Sequence, residues 1–318
     1  MKIVFAGLGG VGGYYGTVVA RFLEGREEDR AVFLARGEHL EAIRDRGLRV
    51  VTPEGEFTAR PSLATDRPSE AGVADVLVVA VKGYDLESAG REFAPLVDEH
   101  TVVLPLLNGV NSPEILRSVL PPCRMLNGCV YISSSIEAPG VIRQTGGSRK
   151  LFFGPPEGKA EDFRFLEEFL RKCGIDAALL ENVDEAVWTK FIFLSPFAGV
   201  TSLFHRTFGE VLAGEDSLPV LRGMMQEIET IARMKGISLP PDIVDLSLEK
   251  GRSFPPETKS SMQLDCERGR RTEADSLLGF VVVEGERLGA DVPLTRGVYD
   301  ALLLRASHPC GGQPEQRP

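Results

Sequence analysis

The feature that most constrains this chain is a glycine-rich loop close to its start. An apolar run, Lys2–Ala6, precedes the loop, and a helical pattern follows it to about Leu23. In a strand–loop–helix unit of this kind, successive glycines permit a tight turn, a close approach of the backbone to a pyrophosphate, and close packing of the helix on the strand. The helix N-terminus adds N–H donors for the same phosphates. The predicted dinucleotide-binding residues are Gly7, Leu8, Gly9, Gly10, Val11 and Gly12.

The end of the second predicted strand, Ala31–Ala35, bears on which dinucleotide binds. An acidic residue there would accept a hydrogen bond from the ribose 2′-hydroxyl of NAD, but this chain has Arg36. A guanidinium pairs well with a phosphate group, so Arg36 favours NADPH and its 2′-phosphate. The alternative is that Arg36 is a solvated surface cation, and the nearby Glu38 argues in that direction.

Strand and helix patterns alternate through the N-terminal part. The continuous apolar runs Asp75–Val81 and Val102–Leu107 are typical of central parallel strands that are covered on both faces. Leu48–Val51 and Phe57–Ala59 flank a turn and predict a hairpin. Because strands alternate with helices, we expect an α/β fold with a Rossmann-type, doubly wound sheet over residues 1–181.

The C-terminal part has helical spacing and lacks a strand pattern. Apolar residues three and four apart predict helices over residues 216–235, 272–288 and 295–306. We therefore expect an all-helical second domain over residues 182–306, whose long apolar faces also suggest a homodimer. The polar tail, residues 307–318, is expected to be disordered.

Composition limits the partners of this protein. Its formal net charge of −10 argues against binding to nucleic acid or to anionic lipid. No apolar run is long enough to span a bilayer and no signal-peptide pattern precedes the first strand, so a cytoplasmic location is expected. The cysteines and histidines are scattered without metal-ligand spacing, which predicts reduced thiols and no metal site.

Two polar residues follow predicted strands directly. Lys82 comes after the run that ends at Val81, and Asn108 comes after the run that ends at Leu107. Ligands of open α/β sheets bind beyond the carboxyl ends of the strands, so both positions are candidates for a binding site. A loop lysine and an asparagine that caps a turn are the alternatives.

With these residues in place, the chain resembles the ketopantoate reductase family over nearly its whole length. The ordered markers are the glycine loop, Ala35-Arg36-Gly37, Lys82, Asn108-Gly109, Trp188-Thr189-Lys190, Ser260-Ser261-Met262 and Thr272-Glu273. The resemblance implies NADPH-dependent reduction of a 2-keto acid to a 2-hydroxy acid, with 2-dehydropantoate as the expected substrate and pantothenate synthesis as the pathway.

The resemblance also implies roles for individual residues. The lysine that matches Lys190 is the general acid, and the glutamate that matches Glu273 helps to bind and orient the hydroxyl and carbonyl end of the substrate. Ser261 would hold the substrate carboxylate, Asn108 would lie between cofactor and substrate, and Lys82 would contact the cofactor. From the residues alone, Lys190 can equally be a lysine whose side chain extends out of an amphipathic helix into solvent. Glu273 can equally be a glutamate at the second position of a helix, where its charge interacts favourably with the helix dipole.

The pattern departs from the family beside the predicted acid. Members that make pantoate have asparagines four and eight residues after the lysine, where this chain has Leu194 and Ala198. Ser195 or Thr201 is a candidate replacement, and Pro196 is expected to kink or end the helix. A different 2-hydroxy acid dehydrogenase, an opine-type dehydrogenase, and an inactive NADPH-binding sensor are the alternative functions.

Overall fold

A computed structural model describes residues 1–26 and 28–307, without the side chain of Ser307. The chain divides into two compact units, one up to Val187 and one from Trp188 onward. The division lies within a single long helix, Val183–Phe204. The last described helix ends at Ser307, and the rest of the predicted disordered tail lies outside the described residues.

Strands dominate the N-terminal unit. They are β1 (Lys2–Ala6), β2 (Arg30–Leu34), β3 (Leu48–Thr52), β4 (Gly55–Ala59), β5 (Leu63–Thr65), β6 (Val76–Val79), β7 (Val102–Pro105), β8 (Arg124–Met125), β9 (Asn127–Val130), β10 (Ser133–Ala138), β11 (Val141–Gly146), β12 (Leu151–Gly154) and β13 (Ala177–Leu179). The helices of this unit are α1 (Gly10–Leu23), α2 (Gly37–Arg46), α3 (Pro68–Ala71), α4 (Leu86–Phe93), α5 (Ser112–Val119) and α6 (Arg164–Lys172). Short 3-10 turns occupy Gly83–Asp85, Ala94–Leu96 and Ala160–Phe163.

The main sheet has six strands in the order β5-β2-β1-β6-β7-β8, and every pairing is parallel. Counted along the chain, this is the strand order of dinucleotide-binding folds, with the hairpin β3–β4 inserted. Alternate residues of β1 enter two separate cores, with Ile3 and Phe5 on one face and Val4 and Ala6 on the other. The predicted Rossmann-type, doubly wound sheet is therefore confirmed.

The predicted hairpin is also present, but it belongs to another sheet. Strands β3 and β4 pair antiparallel, and the four-stranded sheet runs β10-β11-β3-β4. This sheet brings β10 against the first turn of α1, where Ser134 lies beside Gly10. A three-stranded sheet, β13-β12-β9, completes the unit.

The C-terminal unit is built from helices. Besides the part of α7 (Val183–Phe204) that belongs to it, it contains α8 (Phe208–Ala213), α9 (Ser217–Met234), α10 (Ile243–Arg252), α11 (Ser261–Glu267), a π-helical turn (Asp275–Gly279), α12 (Phe280–Leu288) and α13 (Pro293–Ser307). Residues 188–307 contain no strand, which confirms the predicted all-helical character of this part of the chain.

The structure corrects two details of the predicted helices. Pro196 does not end its helix, because α7 continues to Phe204. The most apolar window of α7 is 78% buried, and burial of this kind offsets the hydrogen bond that a proline removes. The helix α7 is also long and apolar enough to cross a membrane, a property that it shares with buried core helices of soluble proteins. The helix predicted over residues 272–288 begins at Ala274 and opens with the π-helical turn, so Glu273 precedes it.

Candidate functional site

Two glycines of the loop are required by the protein's own geometry. Gly7 has a φ of +92°, a left-handed conformation, and a Cβ there would lie 2.7 Å from the carbonyl oxygen of Ala80. A Cβ on Gly12 would lie 2.0 Å from the carbonyl oxygen of Gly7. These two positions therefore allow β1, the loop and α1 to approach the end of β6 closely.

Gly9 differs from its neighbours. Among the described residues, no atom beyond its own chain neighbours lies within 4 Å of the position that its Cβ would occupy, so the space there is open to a ligand or to solvent. Gly9 is also the N-cap residue of α1, whose first N–H groups have no partner within the helix. This arrangement fits the close approach of a cofactor pyrophosphate to the backbone.

Packing explains the other loop residues. A Cβ on Gly10 would lie 2.1 Å from the carbonyl oxygen of Ser134 in β10, a contact that sequence reasoning missed because the two residues are far apart in the chain. Leu8 is buried in the core and Val11 packs against it. Only the backbone of Leu8, Gly10 and Val11 is therefore suited to binding a ligand.

A cavity of about 320 Å³ begins at the loop and lies within the N-terminal unit. That volume is within the range of small-molecule sites. Its lining includes the glycine loop, the ends of β2 and β6, and the exposed face of α4. Lys82 lies three residues after β6, as the residue before the 3-10 turn Gly83–Asp85, and the half-buried Asn108 lies three residues after β7. Both therefore lie beyond the carboxyl ends of parallel strands, as the sequence predicts.

Arg36 lines this cavity, but it already has a protein partner there. Its guanidinium forms an ion pair with the carboxylate of Glu92 in the last turn of α4. Asp66 and Asp85 line the same cavity. Glu92 lies too far along the chain from Arg36 for the sequence to reveal this contact. Glu38, the neighbour considered in the sequence, does not line the cavity.

His39 is the other basic side chain of the cavity lining. Its Nδ1 accepts a hydrogen bond of 3.0 Å from the backbone N–H of Gly140. Burial lowers the pKa of His39 below its ordinary value, against a smaller opposing effect of the Leu8 backbone. Neutral His39 therefore leaves Arg36 as the permanent cation among the residues that line the cavity.

In the C-terminal unit, Lys190 is buried. Its exposure is only 7%, so it does not extend into solvent from an amphipathic helix, and that alternative is wrong. Trp188 and Phe191 flank it on α7, and their rings pack against each other and against Phe280, with pairwise centroid distances of 5.8–6.2 Å. A buried ammonium carries a large desolvation cost, so full burial of a lysine is uncommon in proteins.

Glu273 and Ser261 belong to the same unit as Lys190. Glu273 is 6% exposed, and its backbone carbonyl accepts hydrogen bonds from the N–H of Leu277 and the hydroxyl of Ser276 at the start of the π-helical turn. π-Helical turns occur often at functional sites, and no sequence signal indicated this one. Ser261 is exposed and is the first residue of α11, which Ser260 caps through a 3.1 Å bond from the N–H of Gln263.

The two candidate replacements for the family's asparagines have structural partners instead. The hydroxyl of Ser195 is fully buried and donates to the carbonyl of Leu277 at 3.4 Å. The hydroxyl of Thr201 is also fully buried. It donates to the carbonyl of Phe197 and lies 2.7 Å from the hydroxyl of Ser260. Neither hydroxyl is therefore offered to a substrate, and the two positions where the family has asparagines are the apolar Leu194 and Ala198.

Comparisons with known proteins agree with this geometry. Residues 3–158 match the family model described as ketopantoate reductase PanE/ApbA, and residues 182–306 match that of its C-terminal domain. The chain belongs to the ketopantoate reductase family. It is 32% identical to a 2-dehydropantoate 2-reductase of Mesorhizobium japonicum, an alignment that covers 95% of this chain and 96% of the relative.

Solved structures support the assignment to the ketopantoate reductase family. A PanE/ApbA family ketopantoate reductase from Ralstonia eutropha superposes with a TM-score of 0.87 and 30% identity, covering 96% of this chain and 99% of that one. A D-mandelate dehydrogenase solved with NADH and anilino(oxo)acetate has a TM-score of 0.85 at 21% identity, covering 96% and 99%, and so shares the fold. The protein is an NAD(P)-dependent oxidoreductase that acts on CH–OH groups, as ketopantoate reductases and related 2-hydroxy acid dehydrogenases do.

Proposed function

We propose that this protein reduces 2-dehydropantoate to pantoate with NADPH, as a step of pantothenate synthesis. The observation that carries the proposal is the buried Lys190 on α7, in a chain that matches both domains of the ketopantoate reductase family. An ammonium that is shielded from water stabilises a developing negative charge more strongly than a solvated one does.

The N-terminal unit would hold the cofactor. The backbone from Gly7 to Gly12 would bind the pyrophosphate, since Gly9 leaves open space beside it. Arg36 would pair with the 2′-phosphate in the adjoining cavity. Lys82 and Asn108, which follow β6 and β7, would contact the cofactor, with Asn108 also touching the substrate. When bound, NADPH supplies the hydride that reduces the keto carbon.

The C-terminal unit would hold the substrate and move the proton. As the keto carbon accepts the hydride, the C=O π bond breaks and its electron pair develops as negative charge on oxygen. Lys190 would stabilise this charge and donate a proton from Nζ to the oxygen, which completes the hydroxyl group. Glu273 would bind and orient the hydroxyl and carbonyl end of the substrate, and the exposed hydroxyl of Ser261 would donate to its carboxylate.

A second substrate class is favoured by one observation. Leu194 is half-buried and Ala198 is 3% exposed on the helix that carries Lys190, where pantoate-forming relatives have amides. Unpaired hydrogen-bonding groups on a ligand are costly in an apolar pocket, so a 2-keto acid with an apolar side chain is the alternative substrate. The mechanism of Lys190 would be the same for both.

The test measures the rate of NADPH oxidation with a panel of substrates. The rate is monitored as the loss of the cofactor's near-ultraviolet absorbance. The panel contains 2-dehydropantoate, 2-ketoisovalerate, pyruvate, and pyruvate with an amino acid. The highest kcat/KM with 2-dehydropantoate supports the proposal. The highest value with 2-ketoisovalerate supports the apolar alternative, and a rate that depends on the amine indicates an opine-type dehydrogenase.

The inactive-sensor alternative needs a separate control. A sensor predicts tight NADPH binding by fluorescence titration and no turnover with any 2-keto acid, which would contradict the proposed catalytic role of Lys190. Sedimentation analysis of the purified protein would test the predicted homodimer. The homodimer and the cytoplasmic location stay predictions of the sequence.

A further inference from the structure

We infer that Glu92 tunes how strongly this protein distinguishes NADPH from NADH, by competing with the cofactor's 2′-phosphate for Arg36. The inference rests on the proposed cofactor site. It assigns a specificity role to a carboxylate on α4, an element that the glycine-loop pattern does not include.

The contact is built by two separate elements of the N-terminal unit. Arg36 follows β2 and is the N-cap residue of α2, whereas Glu92 lies in the last turn of α4. Both side chains line the cavity that begins at the glycine loop, and within it they form an ion pair. The side chains are 70% and 49% exposed, so water and salt weaken their attraction. A pair of this kind is open to displacement by a ligand.

The charges of the cavity make it unfavourable for the 2′-phosphate of NADPH to displace Glu92 from Arg36. Arg36 is its permanent cation, while Asp66, Asp85 and Glu92 contribute carboxylates. A phosphate monoester carries almost two negative charges at neutral pH. To reach Arg36, a 2′-phosphate must separate the guanidinium from Glu92 and then remain near the released carboxylate.

NADH meets no such cost at the same place. Its ribose has a 2′-hydroxyl, which leaves the Arg36–Glu92 pair intact and can donate to a carboxylate. Among the described carboxylates that line the cavity, Glu92 forms the ion pair with Arg36, and Asp66 and Asp85 add negative charge to the same lining. Glu92 therefore lowers the affinity for NADPH selectively and brings the two cofactors closer together.

The experiment compares two variants on one helix. Glu92→Gln removes the charge that faces Arg36, and Glu87→Gln removes one that pairs with Arg91 a turn away and does not line the cavity. The probes are 2′-phospho-ADP-ribose and ADP-ribose, which lack nicotinamide, so that binding measured by calorimetry does not depend on turnover. We expect Glu92→Gln to bind the phosphorylated probe about fivefold more tightly and ADP-ribose within about twofold of the parent.

Glu87→Gln should leave both affinities unchanged. If Glu92→Gln does not change the ratio of the affinities for the two probes, the inference is overturned. Placing Glu92→Gln in an Arg36→Ala background tests whether Glu92 acts through Arg36 or independently of it. Loss of the Glu92 effect there supports competition for Arg36, and an effect of equal size contradicts it. If Arg36→Ala alone does not weaken the phosphorylated probe, the proposed role of Arg36 fails as well.

Discussion

The glycine loop and the helix that carries Lys190 differ in how much their sequences alone can predict. In the loop, the backbone itself constrains the residue type, because a Cβ at Gly12 would meet the carbonyl oxygen of Gly7 at 2.0 Å. On α7, a lysine between aromatic residues is compatible with several roles until its burial is known. A backbone constraint at a glycine can therefore be predicted from the sequence, whereas the electrostatic environment of a lysine depends on the fold.

The largest expected effect concerns Lys190. We expect Lys190→Ala to lower kcat by about 100-fold or more, because the proton donor and the charge that stabilises the developing oxyanion are both lost. The affinity for NADPH should stay within about twofold of the parent if the role of Lys190 is catalytic. Steady-state kinetics and a fluorescence titration measure the two quantities.

Lys172→Ala is the matched control, because Lys172 is exposed at the end of α6. It should change neither kcat nor cofactor affinity. Undiminished kcat in Lys190→Ala would exclude it as the general acid and would remove the contrast between the two regions.

The next largest effect separates two glycines of the same loop. Gly9→Ala adds a methyl group at a position where no described residue other than its chain neighbours comes within 4 Å, so the melting temperature should not change. The affinity for NADPH and NADH should fall about 30-fold, because the methyl group occupies the proposed phosphate position. Gly12→Ala should instead destabilise the protein by about 1–3 kcal/mol, since its Cβ would collide with backbone.

Calorimetric unfolding and cofactor titration distinguish these outcomes. Gly297→Ala is the control for cofactor affinity. Apart from the adjacent backbone of helix α13, no atom of the described residues lies within 4 Å of its Cβ position, and it is far along the chain from the loop. Wild-type cofactor affinity in Gly9→Ala would show that the pyrophosphate does not lie against this residue.

Arg36 gives a smaller effect of a different kind. We expect Arg36→Ala to lower the ratio of kcat/KM with NADPH to that with NADH by about tenfold, the value of one charge-assisted hydrogen bond. The rate with NADH should change little, because a 2′-hydroxyl does not need the guanidinium. An unaltered ratio would mean that the 2′-phosphate is bound elsewhere.

Much of the fold was predictable because it depends on local patterns. Buried strands appear as continuous apolar runs, and the strand–loop–helix unit at Gly7 identified the sheet type before any contact was known. The hairpin β3–β4 was also recognised, but not its pairing with β10 and β11, since strand partners distant in sequence leave no local signal.

The candidate site was predictable only in part. Lys190, Ser261 and Glu273 depended on a family resemblance, and the structure adds that two of them are buried. The Arg36–Glu92 pair and the π-helical turn after Glu273 were missed, because a long-range ion pair and an extra residue in a helical turn have no pattern of their own. Pro196 does not end α7, because the intrinsic preference of a proline yields to burial of the helix.

The smallest expected effect tests whether α7 beside Lys190 offers any hydroxyl to the substrate. Ser195 is fully buried and its hydroxyl donates to the carbonyl of Leu277, within the π-helical turn. We expect Ser195→Ala to cost about 1 kcal/mol of unfolding free energy, measured by denaturant titration, because the carbonyl loses a partner. The kcat/KM for every 2-keto acid should stay within about twofold of the parent. A loss of about tenfold for one substrate alone would instead make Ser195 a substrate ligand in place of the missing asparagine, since a structural role would affect all substrates equally.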